Sequence, residues 1–442
     1  MSRALAANDA APPVSGPRPA PWEWATAAVI MTMMTGAFIP FFAPDQGVET
    51  PVMRLMWLPV YAAVLMLAIR RAREIAAVWP AVVVAAALAG LAFISHRWSL
   101  EPDKSIRRSI ALGLSMLFAL YLAGTFRGPN LPRLLCLAFV PMLLASLVTV
   151  AVLPSQGVHD DVNAGLWKGV WYEKNQAGMM CFTAILAALA LLISGARDRV
   201  LPIAAIGLGL VMLAGSQSKT SLLCLLAGGG VILGLHLLRR IGPVAGVALV
   251  WLGVVACGGL VTAFLLTPET FYALLGKDPS LTGRTEIWDA LMRRSDEQPW
   301  TGYGYAAFWG KESTPANWVR LETDWDVPSA HHGWLEVLIQ LGRVGVTAVA
   351  GAAALAVLLT LARLRRQGVE EGFFAAGYLT ALGFLTFSES VLMLHHNLTW
   401  ALFVVVLASR FLPDARAVAV LERVRWEAPA RPSPQFRSVR AI

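Results

Sequence analysis

Apolar runs close to twenty residues long recur along this chain, separated by short polar joints. A run of that length crosses a bilayer as one helix. Inside the hydrocarbon a lone segment satisfies its backbone only as a helix. The runs fall at 24–42, 53–69, 75–94, 107–124, 133–153, 176–194, 199–215, 219–238, 244–266, 333–362, 373–390 and 396–412. The seventh is short. The tenth exceeds the ~20 residues a crossing needs, so its first turns are expected to project beyond the membrane. The pattern predicts an all-α, polytopic helical membrane protein with about 12 transmembrane helices. One joint differs from the others. Residues 267–332 form a long polar interruption between two apolar runs, expected to contain short helices. Loops of that length in a compact protein usually carry function.

Composition agrees with the membrane reading. The chain is 57% hydrophobic and 14% charged, far below the roughly one quarter charged residues of a soluble domain. The net charge of +8 is spread over short joints, which does not suggest nucleic acid. One set of joints carries Arg70, Arg71, Arg73, Arg127, Arg133, Arg197, Arg199, Arg239, Arg240, Arg363, Arg365 and Arg366. By the positive-inside rule this set is cytoplasmic. An even number of spans then places both termini there, and 95–106, 154–175, 215–219 and 267–332 on the opposite face. The expected organisation is a disordered cytoplasmic tail (1–23), helices 1–9 (24–266), an external catalytic loop (267–332), helices 10–12 (333–412) and a basic cytoplasmic tail (413–442). The first tail has no apolar core and is not a signal peptide. Cys136, Cys181, Cys224 and Cys257 lie inside apolar runs without CxxC spacing, as buried small side chains do.

The external stretches hold the residues able to do chemistry. Arg97, Lys104, Arg107 and Arg108 form either interfacial anchors or a basic rim for a phosphate-bearing lipid. Trp167, Trp171 and Tyr172, followed by Lys174 and Asn175, suit an aromatic belt or the apolar faces of sugar rings. Ser218 and Lys219 stand where an apolar helix begins, so free N–H groups and an ammonium make either a simple cap or an anion site. Arg284 suits bidentate contact with phosphate oxygens. His331 precedes an apolar helix, where a base meets both water and a lipid-linked substrate; a structural role is the alternative. The adjacent His331 and His332 diverge too much to be a metal pair, and no HxxxH or HExxH occurs. Glu389 lies near an outer helix end, as a functional acid or a solvated one.

Five motifs in order carry a resemblance. Trp167-Lys168-Gly169-Val170-Trp171 is followed by Lys174-Asn175 and Gly178. After it come Ser216-Gln217-Ser218-Lys219-Thr220 and Thr282-Gly283-Arg284-Thr285-Glu286-Ile287-Trp288. The last two are Gly302-Tyr303-Gly304-Tyr305-Ala306-Ala307-Phe308-Trp309 and Ala330-His331-His332-Gly333-Trp334-Leu335-Glu336. Residues 90–405 thereby resemble the O-antigen ligase and polysaccharide polymerase superfamily, and within it exopolysaccharide polymerases of the succinoglycan type. His332 stands where that family usually has Asn.

The resemblance implies glycosyl transfer at the periplasmic face of a bacterial inner membrane. The donor is a glycan on undecaprenyl diphosphate. The acceptor is a sugar hydroxyl, on another lipid-linked glycan for a polymerase or on lipid A-core for a ligase. Neither a metal nor another cofactor is implied, and a chain-length regulator is a possible partner besides membrane lipids. Within this frame His331 is the expected general base. Arg284 and Lys219 clamp the leaving diphosphate, with Arg97, Arg107 and Arg108 as secondary cations. Ser218, Lys174, Asn175, Trp171, Tyr303, Trp309, His332 and Glu389 complete the expected substrate contacts. A lipid-linked oligosaccharide transporter is the reading from another class. It fits less well, because no internal repeat is visible and polar groups gather at the outer ends rather than mid-span.

Overall fold

The computed structural model describes residues 18–43, 51–161, 163–241, 244–247, 284–364 and 369–412. Most of the segment 244–266, the first part of the long loop with Thr282 and Gly283, Cys257 and the tail 413–442 lie outside them. Among the described residues the protein is helical, with no strand beyond an isolated bridge between Val158 and Trp167.

The helices are α1 (Pro21–Met34), α2 (Pro51–Arg70), α3 (Ala72–Ala76), α4 (Trp79–Ile94), α5 (Pro102–Thr125), α6 (Asn130–Val152) and α7 (Pro154–Gly157). They continue with α8 (Lys174–Ile193), α9 (Val200–Ser216), α10 (Lys219–Leu238), α11 (Arg284–Ser295), α12 (Thr314–Thr323), α13 (Gly333–Arg363), α14 (Val369–Leu385) and α15 (Leu398–Ser409). Seven described helices are long and apolar enough to cross a membrane, and three more apolar helices are shorter. Eleven of the twelve expected spans coincide with described helices, but several are too short for that length test. The most buried is α8, which packs against α6, α9, α10 and α14. Gly228 and Gly377 let α10 and α14 approach until a Cβ on either would strike the other's carbonyl oxygen at 2.6–2.7 Å. Such contacts give membrane helices dispersion energy that apolar burial alone does not supply.

The two ends of the bundle differ in chemistry. At one end Glu23 of α1 is fully buried and takes two bonds from Arg71, at 2.8 and 2.7 Å. The Arg71 guanidinium also reaches Glu74 at 3.0 Å. Arg239 and Arg363 tie the C-terminal ends of α10, α13 and α15 together through the carbonyls of Leu364 and Leu412. The other end holds the N-termini of α5, α8, α10, α13 and α15, together with the described part of the long loop.

The over-long tenth run is broken. Gly342, inside α13, has φ +63° and ψ −163°, a conformation open essentially only to glycine. Residues 343–363 then rise about 31 Å, enough for one crossing. The break exposes backbone groups, and the 299–304 segment satisfies them. Arg343 N donates to Pro299 O at 2.8 Å and Val344 N to Trp300 O at 3.2 Å. In return Tyr303 N donates to Ile339 O and Gly304 N to Gln340 O, both at 2.9 Å. A Cβ on Gly342 would lie 2.2 Å from the Trp300 carbonyl carbon, and one on Gly302 2.6 Å from that of Gln340. Thus part of the Gly-Tyr-Gly motif is a backbone splint. Ile287, Ala290, Leu291, Tyr303, Phe308, Ala316, Val319, Val327 and Ala330 form a second small core above it, against Ile339.

Candidate functional site

Two helix starts open the site. Lys174 and Lys219 are the first residues of α8 and α10, and their ammonium groups are close enough to repel each other. The helices can begin side by side because Gly178 has no side chain. A Cβ there would meet Ser221 Oγ at 2.5 Å and Ser218 Cβ at 2.8 Å. Ser218 Oγ donates to Asn175 Oδ1 at 3.0 Å and lies 2.9 Å from Ser221 Oγ. Asn175 Nδ2 donates to Glu389 Oε1 at 3.0 Å. The same carboxylate oxygen sits 3.9 Å from Arg284 Nη2, while Arg284 Nη1 donates to Ser388 O at 2.9 Å. One polar chain therefore joins Ser218, Asn175, Glu389 and Arg284, from four segments far apart in sequence. Two N-terminal helix dipoles and two lysines flank it, which makes a strongly anion-attracting locus.

His331 stands at the other side of Arg284. Its backbone is left-handed, with φ +46°. That conformation is strained for a residue with a Cβ and tends to mark functional positions. Its neighbours hold it there. Ala330 O accepts from Trp288 Nε1 at 3.0 Å, and Ala330 N donates to Glu336 Oε2 at 2.8 Å. His332 caps α13, its Nδ1 accepting from Leu335 N at 3.3 Å, and its ring meets Trp288 and Phe387 edge-on. Gly333 N then donates to Thr386 O at 2.7 Å. The His331 imidazole lies parallel to Trp325, with ring centroids 5.8 Å apart and planes within 10°. Burial, and then the positive charge of Arg284, push its pKa down to about 4. The ring is therefore neutral at neutral pH. Its Nε2 is buried and makes no hydrogen bond among the described residues. A buried nitrogen left unsatisfied costs about 1–3 kcal/mol.

Glu336 braces the whole arrangement. Its Oε1 accepts from Trp309 Nε1 at 2.8 Å and Gln340 Nε2 at 2.6 Å. Its Oε2 accepts from Ala330 N and, at 3.1 Å, from Ser390 Oγ. One buried carboxylate thereby joins the segment before His331, the Trp309 segment, the first turns of α13 and the loop that carries Glu389.

The expected residues divide into two groups. Arg284, His331, His332, Glu389, Asn175, Ser218, Lys174 and Lys219 are connected as described. Arg107 and Arg108 lie on the first turns of α5, and Arg97 is exposed on the short turn before it. There Arg108 and Lys104 act on His395, whose partner His396 stacks on Trp57 at 3.6 Å and bonds Tyr61 at 2.5 Å. The expected aromatic contacts need correction. Trp171 is fully buried in the helical core and offers no face to a sugar. Tyr303 is buried too, its hydroxyl bonding Arg294 O and Glu297 Oε2. Trp309 spends its one donor on Glu336. Trp171 and Tyr303 are structural because their motifs lie under the site rather than at its mouth, whereas Trp309 is only half-buried.

Sequence reasoning assigned no role to Glu336, although a carboxylate in the first turn of a very apolar helix was a signal. His159 was missed altogether. Its Nε2 accepts from Lys174 N at 3.2 Å and its Nδ1 faces Asp161 Oδ2 at 3.4 Å, so it caps the start of α8.

The O-antigen ligase family model matches residues 203–350, a span holding Ser218, Lys219, Arg284, His331, His332 and Gly342. The exopolysaccharide production protein ExoQ of Rhizobium meliloti (strain 1021) is 26% identical over 361 residues, covering 78% of this chain and 80% of that protein. Residues 203–350 are thus similar to the O-antigen ligase family, within a sequence that is similar, along most of its length, to an exopolysaccharide production protein.

Proposed function

We propose that this protein is a membrane glycosyltransferase that polymerises exopolysaccharide or O-antigen repeat units. It moves a glycan from undecaprenyl diphosphate to a sugar hydroxyl at the periplasmic face of the inner membrane. One observation carries the reading. A neutral imidazole with an unused nitrogen stands beside an arginine that continues, through Glu389, Asn175 and Ser218, to two lysine-bearing helix starts. A base and an anion site side by side are what displacement of a diphosphate by a hydroxyl requires.

In the proposed reaction the acceptor hydroxyl attacks the anomeric carbon in line with the departing phosphate oxygen. Its proton passes to His331 Nε2. The anomeric C–O bond breaks, and its electron pair leaves with the diphosphate. Arg284, Lys219 and Lys174 balance that charge, with the free N–H groups of α8 and α10 beneath it. Direct displacement inverts the anomeric centre. Glu389 holds Arg284 and Asn175 apart and in register until the diphosphate takes Arg284. No metal or cofactor has a part in this scheme. The arginine-lined end of the bundle, with Arg71, Arg239 and Arg363, supports a cytoplasmic placement for that end and for both termini.

The family model supports a second reading, an O-antigen ligase that passes the glycan to lipid A-core. Donor site and base are the same, so acceptor choice decides. Purified protein is to be given its host's lipid-linked repeat unit with and without lipid A-core. Longer lipid-linked glycans without lipid A-core establish a polymerase, and product only with lipid A-core establishes a ligase. Arg284→Ala or Lys219→Ala should weaken binding of undecaprenyl diphosphate; unchanged affinity in both removes them from the clamp.

A further inference from the structure

The splint at Gly342 has an outer surface that the proposed reaction does not use. We propose that Trp98 and Trp300, with Arg97 and Arg343 beside them, form a docking surface for the phosphates of anionic phospholipids, through which the bilayer steadies the splint. The inference needs a bilayer around the helices but no particular reaction at the site.

Two segments meet at this surface, because the turn 95–100 runs along the splint. Tyr305 N donates to Ser95 Oγ at 2.9 Å, Leu100 N to Tyr303 O at 3.1 Å and Trp98 Nε1 to Thr301 O at 3.0 Å. A Cβ on Gly304 would lie 2.4 Å from Ser99 Oγ, so glycine lets the segments close. The Trp98 indole is fixed by its one donor and is still 37% exposed. Trp300 is 61% exposed, and the Arg343 guanidinium lies 5.5 Å from the centre of its ring. Arg97 and Arg343 are both exposed. Among the described residues neither side chain makes an ion pair or a hydrogen bond. The acids close to them in sequence do not neutralise them. Glu101 pairs with Lys104, Glu297 binds Arg294 and Tyr303, and the exposed Asp103 and Asp296 bond neither arginine.

Helix lengths say what covers this surface. The span Trp79–Arg97 has 19 residues, about 29 Å, and Arg97 is its last. The crossing part of α13, residues 343–363, rises about 31 Å, and Arg343 is its first. Each length matches a hydrocarbon core of about 30 Å. The two helices pack against each other, and their far ends carry the exposed Trp79 and Arg363. Two crossings therefore put Arg97 and Arg343 just outside the hydrocarbon, at the depth of the phospholipid phosphates. Tryptophan beside a cation at that depth is the pattern of an interfacial anchor. A guanidinium fork with no carboxylate to bind is suited to a phosphate.

The test uses full-length protein in phosphatidylcholine bilayers that contain brominated phosphatidylglycerol or brominated phosphatidylcholine. Quenching of Trp300 is read as the difference between the unaltered protein and Trp300→Phe. Both brominated lipids should quench it, and the anionic one should be preferred by roughly fivefold for each arginine. Arg97→Ala/Arg343→Ala should abolish the preference, while Arg97→Lys/Arg343→Lys should keep most of it. Neither arginine is bonded within the described protein, so both pairs should fold and melt normally in detergent. Phosphatidylglycerol should also slow proteolysis of residues 296–332 in the unaltered protein and not in the alanine pair. A Trp300 that neither lipid quenches overturns the proposal, leaving the surface to water or a protein partner. Equal quenching by the two lipids, or a preference that survives in the alanine pair, overturns the phosphate contact. Undecaprenyl diphosphate that displaces phosphatidylglycerol from Trp300 overturns it as well, since the surface would then belong to the lipid-linked substrate. Proteolysis indifferent to lipid charge refutes the steadying of the splint.

Discussion

The splint at Gly342 gives a sharp quantitative expectation. An alanine there would hold a non-glycine residue at φ +63°, ψ −163°, which costs on the order of 1–3 kcal/mol. It also places a methyl group 2.2–2.4 Å from the Trp300 carbonyl and Thr301 N, so the 299–304 segment must move away. Moving it breaks four backbone hydrogen bonds, each contributing about 1 kcal/mol net. Gly342→Ala should therefore destabilise by roughly 5–7 kcal/mol. Gly302→Ala attacks the same joint from the other side, 2.6 Å from the Gln340 carbonyl carbon. Once either variant has opened the joint, the other has little left to break. The double variant should cost scarcely more than the worse single one, a strongly non-additive cycle. Gly351→Ala is the control. It lies in the same helix with nothing within 4 Å, and should be neutral or stabilising by up to about 1 kcal/mol. The assay is thermal unfolding in detergent, paired with limited proteolysis of residues 296–332. A neutral Gly342→Ala, or strictly additive effects, would refute the splint.

Other expectations concern the site and the far end of the bundle. His331 has a folded pKa of about 4, below its ordinary 6.5, so turnover should hold its acid limb near pH 4. Arg284→Ala should move that limb upward, and a pH–rate profile unmoved by the change would break the claimed coupling. The unfolded chain takes the His331 proton first. Its share of stability is therefore whole above pH 6.5 and lost as pH falls from 6.5 to about 4; His331→Ala should flatten that part of a stability–pH curve. Glu336→Ala leaves four donors without their acceptor and should cost more than about 4 kcal/mol, with Glu336→Gln intermediate. Normal kcat and stability in Glu336→Ala would remove it as the brace. Arg71→Ala strands the buried Glu23 and should destabilise by about 3–5 kcal/mol, while Glu23→Gln/Arg71→Met recovers much of the loss. Transfer per folded molecule should stay normal in both, and a specific loss would mean the two ends are coupled.

Much of this arrangement is legible in the sequence because helix starts are written locally. Lys174, Lys219 and Gly333 begin their helices where apolar runs follow polar residues. The amphipathic stretch around Ile287 and Leu291 does pack as a helix on the small core. The convergence of Arg284, Glu389, Asn175 and Ser218 is different in kind. Those residues are up to 214 positions apart, and only the packing of α8 against α10 and the loop after α14 brings them together. Aromatic residues misled for a related reason. Trp171 and Trp325 look alike in a polar stretch, yet one packs into the helices and the other faces out. Burial depends on the tertiary neighbours, which no local pattern states. The break at Gly342 was signalled by excess length alone, since a left-handed glycine leaves no other mark within an apolar helix.

The most direct test of the account is transfer by His331→Ala beside the unaltered protein, both purified and folded, on the host's lipid-linked repeat unit. The account predicts a ladder of longer lipid-linked glycans from the unaltered protein. It predicts none from the variant, which should still bind undecaprenyl diphosphate. A full ladder from folded His331→Ala would contradict it.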